Sequence, residues 1–150
     1  MAEAAEKPLL EVRDLATHFY TEQGVARAVD GVSFDVRRGE TFCIVGESGC
    51  GKTMTALSIL RLVSPPGRIV AGRVEFEGQD LLRVPDKAMR SIRGRQIGMV
   101  FQEPTTSLNP VFTAGNQIAE AITAHLGASW KKARGMALEM LEKVRIPEPG

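Results

Sequence analysis

The chain has 150 residues, of which 43% are hydrophobic and 25% are charged, and its formal net charge at pH 7 is +1. This length suits one domain or part of a larger one, and the near-neutral charge predicts no general attraction to nucleic acid or to an anionic membrane. No apolar run approaches the roughly 18 residues that cross a bilayer, and the acidic N-terminus does not have the pattern of a secretory signal. The two cysteines, Cys43 and Cys50, predict reduced thiols of a cytoplasmic protein and no disulfide framework.

The beginning of the chain predicts antiparallel β structure ahead of an α/β core. Residues 1–8 are polar and predict a disordered tail. Residues 9–15 predict one strand, and residues 32–36, which alternate apolar with polar side chains, predict a second. Residues 21–27 are polar and contain a glycine, so they predict the hairpin connection between the two strands.

Residues 46–53, with the sequence GESGCGKT, predict a phosphate-binding loop. They fit the P-loop pattern G-x-x-x-x-G-K-S/T. The apolar run at residues 41–45 predicts a buried strand before the loop, and the apolar residues 54–63 predict a buried helix after it. Strand, glycine loop and helix together aim backbone N–H groups and a helix N-terminus at one anion.

The residue types in this loop suit the phosphates of a nucleotide. Gly46, Gly49 and Gly51 allow positive φ and a close approach of the backbone to phosphate oxygens. Lys52 would place a compact positive charge on the β- and γ-phosphates, and the Thr53 hydroxyl would ligate Mg²⁺.

The second half of the chain predicts alternating strands and helices. Residues 64–67 contain two prolines and a glycine and end the first helix. The elements predicted after them are a strand at 73–77, a short basic helix at 85–93, a strand at 96–101, a polar loop at 102–110, and helices at 114–126 and 129–145.

Two stretches resemble one family of proteins. Residues 46–60, GESGCGKTMTALSIL, resemble the Walker A region of ABC-transporter ATPases, most of all the importers for dipeptides, oligopeptides and nickel. Residues 101–110, FQEPTTSLNP, are similar to the Q-loop of that subfamily. Residues 12–15 with Phe19, and residues 28–34, match its opening strands. The similarity runs from about residue 9 to the end, and two motifs in the right order make it specific.

The resemblance implies an α/β fold with a P-loop NTPase (RecA-like) core, an N-terminal antiparallel β subdomain and the start of a helical subdomain. The chain is then expected to be the N-terminal portion of a single nucleotide-binding domain and to be incomplete. The expected parts are a tail at 1–8, antiparallel β structure at 9–40, the P-loop core at 41–101, and the Q-loop with the start of the helical subdomain at 102–150.

The resemblance also implies site residues for ATP and Mg²⁺. Lys52 and Gln102 would be catalytic, and Thr53 and Gln102 would ligate Mg²⁺. Phe19, or the adjacent Tyr20, would stack on adenine, against the alternative of a core or strand-edge aromatic. For Gln102 the alternative is a loop glutamine that bonds its own backbone. The residues expected to cradle the phosphates are Gly46, Glu47, Ser48, Gly49, Cys50, Gly51, Lys52, Thr53 and Met54.

Two loop positions depart from the usual pattern of these ATPases. Cys50 stands where serine is common, and Met54 stands where many relatives have threonine or serine. A thiol at a helix N-terminus beside Lys52 favours reaction with alkylating agents. The expectation is that alkylation of Cys50 blocks ATP binding.

By resemblance, the function is that of the ATP-binding subunit that energises an importer of peptides or small solutes such as nickel. Its partners would be a second ABC ATPase subunit, integral membrane permease subunits and, indirectly, a solute-binding protein, with no nucleic acid. It would lie peripherally on the cytoplasmic face of the inner membrane.

Several motifs that hydrolysis requires in this family do not occur in the sequence. No apolar run ends in Asp-Glu as a Walker B strand would, and no Ser-Gly-Gly signature is present. His18 precedes the P-loop and His125 lies in a predicted helix, so neither fits the switch histidine. The chain alone is therefore expected not to be an active ATPase.

Three alternatives remain open at this point. The chain could be a truncated, non-hydrolysing nucleotide-binding fragment, or an ABC-superfamily ATPase of DNA repair or translation. Residues 106–110, TSLNP, and the neutral net charge argue against the second of these. A small-molecule P-loop kinase is the third, and no acceptor site supports it.

Overall fold

A computed structural model of the chain describes residues 7–102 and 107–147. These residues fall into two compact units, which are divided between Met89 and Arg90. The predicted tail at 1–6, the Q-loop residues 103–106 and the last residues, 148–150, lie outside the described part. The elements are β1 (Leu10–Thr21), β2 (Gly24–Val36), α1 (Lys52–Ile59), β3 (Gly67–Phe76), β4 (Gln79–Asp80), α2 (Asp86–Ile92), α3 (Ala114–Leu126) and α4 (Trp130–Lys143).

The first unit is built on one antiparallel sheet with the strand order β2-β1-β3-β4. The predicted antiparallel structure is confirmed, but the strands are longer than predicted. Thr21 pairs with Gly24 across a tight hairpin, so the connection predicted at 21–27 is much shorter. Strand pairing continues into the turn because the residues on both sides have a partner only a few positions away along the chain.

β1 is irregular at its centre. Asp14 has a φ of 47°, and the pairing of β1 with β2 and with β3 shifts register between Val12 and His18. A Cβ added to Gly72 of β3 would lie 2.5 Å from the Cα of Leu15, so only glycine allows β3 to approach β1 this closely. Such bulges change the direction of the side chains that follow them.

The core of the first unit is formed between the sheet and the residues that follow it in the sequence. The largest fully buried apolar side chains come from β1, β3 and the residues that follow β4: Val12, Leu15, Val74, Leu81 and Met89. Burial of side chains of this size is the main favourable term in folding, about 1.5–3 kcal/mol each.

Two predicted strands are wrong. Residues 41–45 and 96–101 form no β-ladder among the described residues, apart from an isolated bridge of Ile97 with Arg93, and Val45 and Val100 are 92% and 91% exposed. Both segments are apolar enough for a strand, but a strand also needs a hydrogen-bonded neighbour. A parallel neighbour arrives only after a crossover of a dozen residues or more, and the described residues provide none for either segment.

The second unit contains the helix pair α3 and α4, packed on a small core of Ala119, Ile122, Ala133 and Ala137. The Thr113 side chain accepts a hydrogen bond from the amide of Asn116 and caps the start of α3. Gly127, at a φ of 64°, ends the same helix. Both helices confirm the sequence prediction. Within the described residues, no helix combines the length and the apolar character that a membrane span requires.

Candidate functional site

The glycine loop turns through left-handed backbone at two of the three predicted positions. Gly49 has a φ of 82° and Gly51 a φ of 93°. Gly46 is not in this region, so the prediction of positive φ is wrong there. The need for glycine at that position has another cause, because an added Cβ would lie 2.6 Å from the Sγ of Cys50.

Lys52 lies across the loop that precedes it. Its Nζ donates to the carbonyl oxygens of Gly46 and Glu47, at 2.7 Å each, and lies 3.4 Å from the Sγ of Cys50. Residues 46–50 are exposed. A positive charge, exposed backbone and the N-terminus of α1 therefore meet at one place, which is an arrangement suited to an anion.

α1 rests on the sheet through a face that is largely polar. Its buried residues are Thr55, Ser58 and Ile59, whereas the sequence predicted a buried helix of apolar residues at 54–63. The Thr55 hydroxyl donates to the Gly51 carbonyl at 3.0 Å, and the Ser58 hydroxyl donates to the Met54 carbonyl at 2.6 Å. Each hydroxyl thus has an acceptor four residues earlier, in α1 or at its N-cap, which allows it to be buried.

Two contacts fix α1 and its loop to the strands. A Cβ added to Gly51 would lie 2.2 Å from the carbonyl oxygen of Ala28 in β2, so the loop approaches this strand as closely as backbone allows. In β1, the Oγ1 of Thr17 lies 2.7 Å from the Oγ of Ser58, and both residues are fully buried. Sequence analysis missed Thr17 and Ser58. The only signal for them is a hydroxyl in an otherwise apolar stretch.

The two aromatic candidates for adenine differ in their surroundings. Phe19 is half-buried, and a Cβ added to Gly67 would lie 2.8 Å from its ring and 2.6 Å from Val63. Tyr20 is 48% exposed, and the Arg68 guanidinium lies 5.8 Å from the centre of its ring. Phe19 therefore has one side of its ring packed against the protein, while Tyr20 is about half exposed with the Arg68 guanidinium over its ring.

Phe19 is also the closer of the two to the loop along the strand. Its partner in β2 is Ala26, two residues from the Ala28 carbonyl that touches Gly51. At about 3.4 Å per residue, this separation is about 7 Å along β2.

The remaining predicted site residues are exposed or partly exposed. Thr53 is exposed and Met54 is half-buried in the first turn of α1. Gln102 is exposed and belongs to the second unit, directly before residues 103–106. Cys43 and Cys50 are both free and exposed, so Cys43 is not buried in a strand as its apolar surroundings predicted.

Comparisons with known proteins identify a family and relatives. The model of the family described as ABC transporter matches residues 29–149. The chain is 54% identical over 142 residues to a probable peptide ABC transporter ATP-binding protein, y4tR, of Sinorhizobium fredii, covering 94% of this chain and 42% of that protein. It is 50% identical over 143 residues to the dipeptide transport ATP-binding protein DppD of Bacillus subtilis, covering 95% and 43%. The chain thus spans about two fifths of the length of these curated relatives.

A solved structure has the same fold over most of the chain. It is the dimeric, post-hydrolysis state of the ATP-binding cassette MJ0796 bound to ADP and Pi, with a TM-score of 0.77 and 26% identity. The match covers 93% of this chain and 58% of that one. The P-loop geometry, the family match and this shared fold agree with the resemblance drawn from residues 46–60 and 101–110. The chain belongs to the ABC transporter family, whose ATP-binding cassettes have this fold.

Proposed function

We propose that this chain binds ATP through the loop at residues 46–53 and forms part of the ATP-binding subunit of a peptide importer. The observation that carries the proposal is the start of α1. There Gly51, in left-handed backbone, is the N-cap of α1. The Nζ of Lys52 lies over the same loop, 2.7 Å from two of its carbonyl oxygens. A positive group that can exchange those carbonyls for phosphate oxygens is what a triphosphate requires.

The residues around the loop fit Mg²⁺ and adenine as well. Thr53 is exposed in the first turn of α1, where its hydroxyl can ligate Mg²⁺, and bound Mg²⁺ would neutralise the charge on the phosphates. Phe19 is the better candidate to stack on adenine, because one side of its ring is supported by Gly67. Tyr20 remains the alternative. Gln102 is proposed as the second Mg²⁺ ligand and as the residue that orients the attacking water.

The names of the relatives support transport of peptides. One is a probable peptide ABC transporter ATP-binding protein and another a dipeptide transport ATP-binding protein. We infer that the protein lies peripherally on the cytoplasmic face of the membrane, beside integral permease subunits served by a solute-binding protein. The dimeric cassette with the same fold supports a second ATPase subunit as partner. Residues 1–150 are then the N-terminal portion of one nucleotide-binding domain.

Hydrolysis needs groups beyond the phosphate loop. The proposal assigns Lys52 and Gln102 to catalysis, but the sequence has no apolar strand ending in Asp-Glu that could supply a catalytic carboxylate. We therefore expect the polypeptide of residues 1–150 to bind ATP without turning it over on its own.

The test compares two lysine variants of equal charge. Lys52→Ala should weaken binding of a fluorescent ATP analogue by at least about 100-fold, because it removes the charge opposite the phosphates. Lys87→Ala, in α2 and exposed, loses the same charge elsewhere and should bind like the wild type. Fluorescence anisotropy with Mg²⁺ measures both affinities. Equal affinity of the two variants would contradict the proposal. Steady-state phosphate release by the purified chain would contradict the expectation that residues 1–150 alone do not hydrolyse ATP.

A further inference from the structure

A short chain of buried hydroxyls connects the sheet to the first turn of the P-loop helix. The Oγ of Ser58 donates to the Met54 carbonyl at 2.6 Å and lies 2.7 Å from the Oγ1 of Thr17. A serine hydroxyl has one proton, and here it is given to Met54, so the Thr17 hydroxyl must be the donor to Ser58. The order is therefore Thr17 to Ser58 to Met54, and it is called the hydroxyl relay below.

The relay lies where β1 is irregular. The pairing of Thr17 with Val29 of β2 has a register shift on both sides, and its pairing with Ile69 of β3 has one directly before it. Thr17 follows Leu15 and Ala16, and all three are buried, which a regular strand with one exposed face does not produce. The bulge aims the Thr17 hydroxyl at α1, where a buried polar group without a partner would cost about 1–3 kcal/mol.

We propose that the hydroxyl relay is a positioning device that fixes the base-binding side of the ATP site relative to its phosphate-binding side. The inference rests on the proposed function. Met54 follows Lys52 and Thr53 directly, so holding its carbonyl holds the turn that faces the phosphates. Thr17 lies two residues before Phe19 on the same strand, about 7 Å away, so it belongs to the part of β1 that carries the adenine candidate.

ATP would contact two subsites, one for its base and one for its phosphates, so its affinity should depend on the distance between them. A ligand that contacts both gains affinity only if their separation matches its length, because the second contact is then made at high effective concentration. Tripolyphosphate contacts the phosphate side alone, so its affinity does not depend on that separation. The ratio of the two affinities measures positioning, and partial unfolding cancels from it because both ligands bind the same folded fraction.

The experiment uses the double variant Thr17→Val with Ser58→Ala. It removes both hydroxyls and leaves no unpaired partner, so the free energy of unfolding should stay close to that of the wild type. Calorimetric titration of ATP in the presence of Mg²⁺ should show about fivefold weaker binding than the wild type, because the base contact is then made at a lower effective concentration. Tripolyphosphate binding should be unchanged. The control Thr17→Ser keeps the hydroxyl and should keep the wild-type ratio.

Each other outcome has a definite meaning. If the double variant keeps the wild-type ratio, or loses affinity for both ligands equally, the relay only supports the fold, and the positioning role is overturned while ATP binding stands. If the wild type binds ATP no more tightly than tripolyphosphate, there is no base contribution to position, and the inference fails alone. If the wild type binds neither ligand, the proposed function fails and this inference fails with it.

Discussion

The two flanks of the phosphate loop are held in different ways. Before the loop, residues 41–45 make one aromatic contact, in which Phe42 stacks on Phe34 with ring centroids 4.9 Å apart, while Val45 is 92% exposed. After the loop, α1 buries Thr55, Ser58 and Ile59 and bonds to β1 through Thr17. The loop is therefore positioned from its C-terminal side, by a helix that rests on the antiparallel sheet.

This difference shows that a sequence pattern does not distinguish a tendency towards burial from the presence of a surface to pack against. An apolar run shows that its residues favour burial, whereas a strand or a docked helix also needs a surface to meet. β1 and β2 meet within a two-residue turn, so the two strands that α1 and its loop contact are local partners of each other. Residues 41–45 are equally apolar and have no such partner among the described residues.

The largest expected effect comes from truncating a buried side chain in the sheet on which α1 rests. Leu15 is fully buried, so Leu15→Ala should lower the free energy of unfolding by about 2–5 kcal/mol through lost burial and a residual cavity. Val45→Ala, on the exposed first flank, should change it by less than about 0.5 kcal/mol. Urea unfolding of both variants measures the contrast. A comparable loss for Val45→Ala would show that the first flank is also packed in solution.

A sharper test changes two glycines within the loop. Gly49 and Gly51 both have positive φ, but an added Cβ at Gly49 has nothing within 4 Å, whereas at Gly51 it lies 2.2 Å from the Ala28 carbonyl. Gly49→Ala should cost about 1 kcal/mol, the backbone strain alone, and Gly51→Ala at least about 2 kcal/mol, since the loop must also move from β2. Thermal unfolding gives the comparison. Equal costs would mean that contact with the sheet does not position the loop.

The smallest effect concerns the ion pair between Arg13 of β1 and Asp35 of β2. The Arg13 guanidinium donates to Asp35 at 2.9 Å and holds the pKa of that carboxyl below its ordinary value, while the pKa of Arg13 is raised by the same hydrogen bond. Because the folded pKa of Asp35 is lowered, its stabilising effect is complete above about pH 4 and is lost as pH falls through the lowered pKa. Both groups are solvated, so the effect is small.

The measurement for this pair is the urea midpoint of Asp35→Asn against pH. The variant should be slightly less stable than the wild type at pH 7, and the difference should shrink as the pH falls below about 4. In an Arg13→Gln background the same substitution should show a smaller pH dependence, because only the charge of Arg37 then lowers the pKa of Asp35. A difference that grows towards low pH would contradict the assignment.

Helix boundaries were predictable where the signals that end a helix are local. α3 occupies residues 114–126 as predicted, because Thr113 caps its start and Gly127 ends it in left-handed backbone. The loop at 46–53 was recognisable for the same reason, since its glycines and Lys52 act within a few residues of one another.

Features set by distant residues were not predictable. Nothing near Gly51 shows that the carbonyl oxygen of Ala28 occupies the place of its Cβ, and nothing near Ser58 shows that Thr17 lies against it. The polar face of α1 is buried against the sheet, where Ser58 meets the hydroxyl of Thr17 in β1. The sequence records the hydroxyls but not the contacts that make their burial favourable.

The packing of Phe19 against Gly67 has an evolutionary consequence. Any side chain at position 67 would occupy space that the aromatic ring fills, with its Cβ 2.8 Å from ring carbons. The two positions lie far apart in sequence but share one volume, so substitutions at them should be correlated across homologues. A larger residue at 67 should occur together with a smaller or reoriented one at 19, and lineages that keep the aromatic ring should keep the glycine.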